Sequence, residues 1–416
     1  LIPYGKGYLP LPQGLPVTLI APRPVEAVPD PLAAVSAALE NPVGGRRLED
    51  FGQARSVAIT INDKTRLVPH QHLLPPLLER LHHLGIRPDQ ITFVIATGTH
   101  APMPAEEFER ILPPAILQRY RVISHDAYDE SVLVDLGKTT HGTPVLVNKH
   151  YWAADLHLVV GNIEPHQFMG FSGGVKSVAV GVASFQTINH NHALMSHPNS
   201  QLGRYEDNPA RQDVEEIGRM IRVDFAVNAL LNSQKQIVEV IAGEPVAVMQ
   251  AGIPRVRAIF QVEVEAPFDL VITSPGGHPK DINLYQAQKA LAHAALITRT
   301  GGAVILVAAC PEGTGSQHYE DWVLGMDSQE AVIERFKREG FKIGAHKAFQ
   351  LARDATRLRV VMVSQMPPEF VQRLLLQPAS SLEEALSQLV LPPNARIAVI
   401  PAANVTIPSL KEGTSL

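Results

Sequence analysis

The chain has 416 residues, of which 45% are hydrophobic and 19% charged, with a formal net charge of −5. That length suits two domains, or one large α/β domain with an appendage, and the hydrophobic share is ordinary for a protein with a real core. The charge excludes a basic field for nucleic acid; the one cysteine, Cys310, excludes a disulfide framework and a zinc–thiolate site; and no apolar run approaches the roughly 18 residues of a membrane span.

Residues 1–30 are proline-rich with one strand-like run at 17–21, and residues 41–50 read as a connecting loop. Strand and helix patterns then alternate. Residues 56–62 predict a strand, 71–84 a helix, 91–96 a second strand and 105–112 a short helix. Further strands are expected at 121–124, 144–148 and 156–161. Between 233 and 265 lie two strand-like runs, a helix at 246–255 and a run at 262–265. The pattern resumes with strands at 269–274, 303–308, 359–363 and 396–400, with helices between. Strands separated by helices argue for an α/β protein with mostly parallel sheets. The expected division is a first domain at 1–265, a second at 266–394, and a return of 395–416 to the first. No signal-peptide pattern is present, so a cytoplasmic enzyme is the expectation.

Four polar clusters follow predicted strands: residues 62–66, Thr97 to His100, Asn162 to His166, and 274–281. Ligands of open α/β sheets bind outside the carboxyl ends of strands. Four such clusters bearing Asp, Arg, His and Lys predict a shared site in a cleft between two Rossmann-like domains. Asp63 and Arg66 read either as a local ion pair or as a guanidinium fork for a carboxylate or phosphate. The His-x-His spacing of His190 and His192 is a weak signal for nickel, zinc or copper. Gln286 and Lys289 share one helical face.

The segment Glu-Pro-His-Gln-Phe-Met-Gly-Phe-Ser-Gly-Gly-Val-Lys, residues 164–176, is the most specific. Gly170 and Lys176-Ser177 have P-loop spacing, but Val175 stands where that motif needs glycine. A β-branched residue resists the positive φ used there. A nucleotide triphosphatase or kinase using residues 170–177 is therefore the alternative reading. A non-catalytic nickel or nucleotide carrier is another.

Together these motifs resemble the nickel-dependent lactate racemase family. The carrying residues are Asp63 to Arg66, Gly98 to His100, His166 with Phe171 to Lys176, Asn191-His192, and Gly276-Gly277 through Tyr285-Gln286 to Lys289. The resemblance implies a racemase or epimerase inverting C2 of a 2-hydroxy acid by proton-coupled hydride transfer, through a 2-oxo acid. It implies a nickel-pincer nucleotide joined to Lys176 through a thioamide, with His192 on nickel. His100 and His166 would be the acid/base pair. Arg66, Tyr285, Gln286 and Lys289 would hold substrate. Asp63, Thr65, Ser172, Gly173 and Gly174 would support Arg66 or the cofactor. Implied partners are the small-molecule acid and the enzymes that make the cofactor; neither nucleic acid nor membrane is expected, and a homo-oligomer is compatible. Two departures stand out. Val180 replaces a proline frequent in the family. His346 or Phe349 stands where lactate-type members carry tryptophan, which points toward a longer or more polar acid, sugar acids included.

Overall fold

A computed structural model describes residues 1–342, 344–411, 413–414 and 416. The chain divides into two compact units, Pro24–Ile259, and Leu1–Arg23 together with Phe260–Leu416. In chain order, the first unit contains β1 (Val57–Asn62), α1 (His70–His83), β2 (Ile91–Ala96), β3 (Arg121–Ser124), β4 (Leu156–Ile163), α2 (Phe185–Ala193), α3 (Pro209–Ile221), β5 (Phe225–Leu231) and β6 (Ile237–Gly243), followed by α4 (Pro245–Phe260). Its six strands lie in the order β3-β2-β1-β4-β5-β6. All neighbours are parallel except the edge strand β6, which runs antiparallel to β5. This is the order of dinucleotide-binding folds, whose crevice opens where the strand sequence reverses, here between β1 and β4.

The reason β4 reads as a continuous apolar run is its place in the sheet. It has neighbours on both edges and is buried along its whole length. Against the sheet, α1 buries Leu73, Leu74, Leu77, Leu78 and Leu81 on one face. Each such leucine contributes roughly 1.5–3 kcal/mol by leaving water.

The second unit contains β7 (Phe268–Thr273), α5 (Leu284–Ala294), β8 (Thr298–Val307), α6 (Ala345–Ala355), β9 (Arg359–Val363), β10 (Gln377–Ala379) and β11 (Ile397–Ile400). Its sheet runs β10-β9-β8-β7-β11, then Thr18–Leu19, with every pair parallel. The α/β class and the mostly parallel sheets expected from the sequence are present in both units. Among the described residues, no helix is long and apolar enough to cross a membrane.

Three expectations change. The division falls at 259/260 rather than 265. Residues 395–416 do not return to the first unit, because β11 inserts between β7 and Thr18–Leu19. The N-terminal residues are the ones that cross over. Ser274 Oγ donates to Pro3 O at 2.7 Å, and the Gly5 N–H donates to Asp281 Oδ2 at 2.6 Å, tying them to the second unit. Finally, Pro144–Asn148 pairs antiparallel with Leu133–Lys138, outside the main sheet. Local patterning identifies strands, but sheet membership depends on long-range pairing that it does not encode.

Candidate active site

At the end of β1 the chain turns through Asp63, Thr65 and Arg66. Asp63 is 5% exposed at its side chain and receives His100 Nδ1 at 2.8 Å on Oδ2. Its Oδ1 accepts from the Thr65 N–H at 3.1 Å and from Thr65 Oγ1 at 2.6 Å. Arg66 Nη1 in turn donates to Thr65 Oγ1 at 3.0 Å. One carboxylate thus orders both the imidazole and, through Thr65, the guanidinium. Burial alone would raise the Asp63 carboxyl, but the hydrogen bonds from His100 and Thr65 outweigh it and hold the group below the usual carboxylate range. An ionised Asp63 fixes the His100 proton on Nδ1 and leaves Nε2 as the basic nitrogen, a tautomer assigned from the partner.

Because the folded-state value is lowered, this dyad stabilises the fold above the unfolded Asp value of about 3.9 and ceases to do so as pH falls through the lower folded value. The stability gap between wild type and Asp63→Asn, read by urea unfolding, is therefore expected to be wide at neutral pH and to close in strong acid. A gap independent of pH would contradict an ionised Asp63.

Beyond β4 the chain forms a small hairpin in which Pro165–His166 pairs with Gly170–Phe171. Gly170 has φ +70°, and a Cβ there would lie 1.6 Å from Arg204 O, so only glycine fits. The Met169 N–H donates to His166 Nδ1 at 3.2 Å, so the hydrogen of a neutral ring sits on Nε2. Phe168 stands edge-on to both His166 and His192, at 5.0 and 5.1 Å between centroids. The glycine loop that follows is tied from behind. Arg211 of α3 donates to Phe171 O at 3.0 Å and Gly173 O at 3.2 Å, while pairing with the buried Glu215. The Gly174 N–H donates to Asn228 Oδ1 at 2.7 Å. The Ser172 N–H donates to Glu164 O at 2.8 Å. Two of the loop's N–H groups, those of Ser172 and Gly174, are thus engaged by the protein itself. Lys176 opens a one-turn helix, Lys176–Ala179.

These elements enclose one cleft within the first unit, about 900 Å³ with its open mouth included. Asp63, Thr65, Arg66, His100, His166 and His192 line it, and so do Ser172, Gly173, Gly174 and Lys176. Every first-unit residue that the family resemblance assigned to the site is therefore brought together. His190 does not line it; its Nδ1 lies 3.0 Å from Thr143 Oγ1.

Asn62, Asn162 and Glu164, which fall in the polar clusters read from the sequence but were given no role there, also line the cleft, as does Asn228, which sequence reasoning missed. Asn228 was detectable as a lone amide in the apolar run Phe-Ala-Val-Asn-Ala-Leu-Leu. Glu164 pairs with Lys235 at 2.8 Å. Against the rise that burial would cause, Lys235 and Arg66 hold the Glu164 carboxyl below its ordinary range.

In the second unit, Tyr285, Gln286 and Lys289 occupy the first turns of α5, where Asn283 accepts from the Gln286 N–H at 3.1 Å as the cap. Lys289 Nζ donates to Gln286 Oε1 at 2.8 Å, as their shared face predicts. His346, near the start of α6, stacks on Phe341 and meets Tyr285 edge-on at 5.9 Å. Lys347, not singled out from the sequence, is buried with its ammonium 5.2 Å from the Tyr285 ring centroid. Burial, with Lys289 adding to it, pushes that amine well below the ordinary lysine range.

The first-unit lining, with the primary amine of Lys176 and the imidazoles of His100, His166 and His192, has donor types that suit a tethered metal cofactor. Gly173 packs against β4, where a Cβ would lie 2.7 Å from Ile163, and Asn62 Oδ1 is buried with no hydrogen-bond partner among the described residues. Two family models match the chain: the lactate racemase N-terminal domain over residues 4–203, and the lactate racemase C-terminal domain over 263–407. The lactate racemase of Thermoanaerobacterium thermosaccharolyticum is 30% identical over 376 residues, 88% of each chain. That of Lactiplantibacillus plantarum is 30% identical over 362 residues, 85% of each. The solved apoprotein of the Thermoanaerobacterium enzyme superposes with a TM-score of 0.90 over 99% of both chains.

Proposed function

Because the chain belongs to the lactate racemase family and is an isomerase of that kind, we propose that it inverts the C2 centre of a 2-hydroxy acid with a nickel-pincer nucleotide tethered to Lys176. The observation that carries this reading is the convergence of His100, His166, Lys176 and His192 on one cleft. Lys176 would hold the cofactor and His192 its nickel. When bound, the cofactor supplies a hydride acceptor, which lets the substrate pass through a planar 2-oxo acid and avoids a carbanion beside a carboxylate. Enzymes that make the cofactor would be this protein's partners.

The chain's own residues supply the proton chemistry. His100, with its proton held on Nδ1 by Asp63, offers Nε2 to take the hydroxyl proton. His166, whose neutral ring accepts from Met169 on Nδ1 and carries its hydrogen on Nε2, is assigned the return of a proton from another side, a step it makes as the imidazolium. Arg66 offers a planar fork to the substrate carboxylate. Tyr285, Gln286, Lys289 and His346 are assigned to substrate contacts from the second unit. His346 packs between Phe341 and Tyr285; as part of the substrate wall its imidazole would be a polar group where a purely apolar wall would favour a methyl side chain. The relatives' names make lactate the first candidate, and His346 favours longer or more polar 2-hydroxy acids.

Cofactor-loaded protein is expected to exchange the enantiomers, or epimers, of at least one acid in a panel of lactate and longer aliphatic, aromatic, dicarboxylic and sugar 2-hydroxy acids, followed by chiral chromatography. Absence of exchange across that panel, with cofactor shown to be loaded, would overturn the proposed activity.

A further inference from the structure

Helix α3 reads as a surface helix, yet Arg211, Asp213 and Glu215 on it are all buried. Charged residues are seldom fully buried unless they are engaged by partners. Arg211 and Glu215 are accounted for by the glycine loop. Asp213 is engaged elsewhere. Its Oδ1 accepts from Thr139 Oγ1 at 2.6 Å, and its Oδ2 accepts from Thr143 Oγ1 and from Asn191 Nδ2, both at 2.8 Å.

Asn191 is fully buried, and its Nδ2 also donates to Ala210 O at 2.9 Å. Both amide hydrogens therefore face acceptors that have no proton to offer in return, a backbone carbonyl and a carboxylate. This leaves one orientation for the amide, with Oδ1 as an acceptor on the far side. That oxygen lies 3.2 Å from His192 Nδ1. An amide oxygen only accepts, so Nδ1 must carry the hydrogen and the lone pair of a neutral His192 must lie on Nε2. The other ring nitrogen of a metal-bound histidine is ordinarily held in this way, by a group that fixes tautomer and ring orientation together.

We propose that Asn191, locked by Asp213, is the positioning residue that keeps His192 in its metal-binding tautomer before any metal arrives. The assignment rests on the reading of His192 as the nickel ligand. Its hydrogen-bond logic belongs to the cofactor-free chain and is testable there. The threonines Thr139 and Thr143 complete the relay by holding the carboxylate, so the metal ligand on α2 is set from α3.

Two substitutions separate this role from packing. Asn191→Leu keeps the branched shape of the side chain, at larger volume, and removes the acceptor. Asn191→Asp retains an acceptor for Nδ1–H but places a second carboxylate beside Asp213, the two then sharing one proton. Leu also takes the donor from Ala210 O and Asp213, so either role lowers stability there; only the positioning role ties the change to the His192 tautomer, kept with Asp and lost with Leu. In full-length cofactor-free protein, histidine ¹⁵N correlation spectra are expected to show His192 as the Nδ1–H tautomer in wild type and Asn191→Asp, and as a mixture in Asn191→Leu. In cofactor-loaded protein, nickel measured by elemental analysis after chelator challenge is expected to leave Asn191→Leu roughly 10- to 100-fold faster than wild type. The mass of the covalent adduct should stay unchanged. An Nε2–H tautomer in wild type, or a Leu variant that keeps its tautomer and its nickel, overturns the proposal. If Asn191→Asp does not fold, the tautomer of wild type against Asn191→Leu still decides. His192→Ala is the separate control: unchanged nickel retention there sinks the ligand reading and leaves the tautomer result standing.

Discussion

Lys176→Ala protein produced beside the cofactor-synthesis enzymes is expected to show its unmodified intact mass and no racemisation, while wild type carries the adduct. The position explains the expectation. Lys176 follows the Gly173-Gly174 turn and starts the one-turn helix Lys176–Ala179, so its stem leaves the backbone at the wall of the cleft. Val178 and Ala179 of that turn are buried, which anchors the backbone independently of the lysine head. Loss of the amine should therefore spare the fold. Lys176→Arg sharpens the test, because a guanidinium keeps the positive charge but is not an acylatable amine at ordinary pH. Both variants should lack the adduct. If the arginine variant is active without an adduct, Lys176 acts through its charge alone; an adduct mass that survives Lys176→Ala places the tether elsewhere.

Asp63→Asn is expected to lower racemisation by roughly 10²–10⁴-fold, the span that general acid–base catalysis supplies, with adduct mass and nickel content unchanged. The size follows from a conflict the amide cannot avoid. The Thr65 N–H points at one oxygen of residue 63 and can only donate. An asparagine must turn its carbonyl oxygen there, which leaves its NH₂ facing His100. The imidazole then has to accept on Nδ1 and carry its hydrogen on Nε2, where a basic lone pair is required. His100→Ala and His166→Ala should likewise abolish turnover in adduct-bearing protein. Should Asp63→Asn retain full kcat, the Asp63–His100 pair is structural only.

The parts of this site that were legible in the sequence are those whose chemistry is local. The buried run of β4 and the glycines before Lys176 mark where a strand ends and a loop must bend, and His100 and His166 follow such strand ends directly. Asp63 was legible as a residue but not as a role. Its proximity to Arg66 in sequence suggested an ion pair, whereas the fold brings it to His100 across the β1–β2 pair. Helix α3 was opaque for the same reason. Its charged residues look solvated until the loop carbonyls of Phe171 and Gly173, and the amide of Asn191, arrive from remote parts of the chain. Lys347 is likewise unremarkable among helical lysines until α5 brings Tyr285 over it.

The ownership of residues 1–23 has a consequence for the order in which the molecule is made. The strand pair that completes the second unit's sheet joins Thr18–Leu19 to β11, so its two halves lie on either side of the whole first unit in the sequence. The first unit is a single continuous stretch, Pro24–Ile259, and can close while synthesis continues. The leading residues must meanwhile wait, unpaired, for a partner translated more than three hundred residues later. A nascent chain of this protein therefore carries a finished first unit, cleft included, well before its other half has an edge to its sheet.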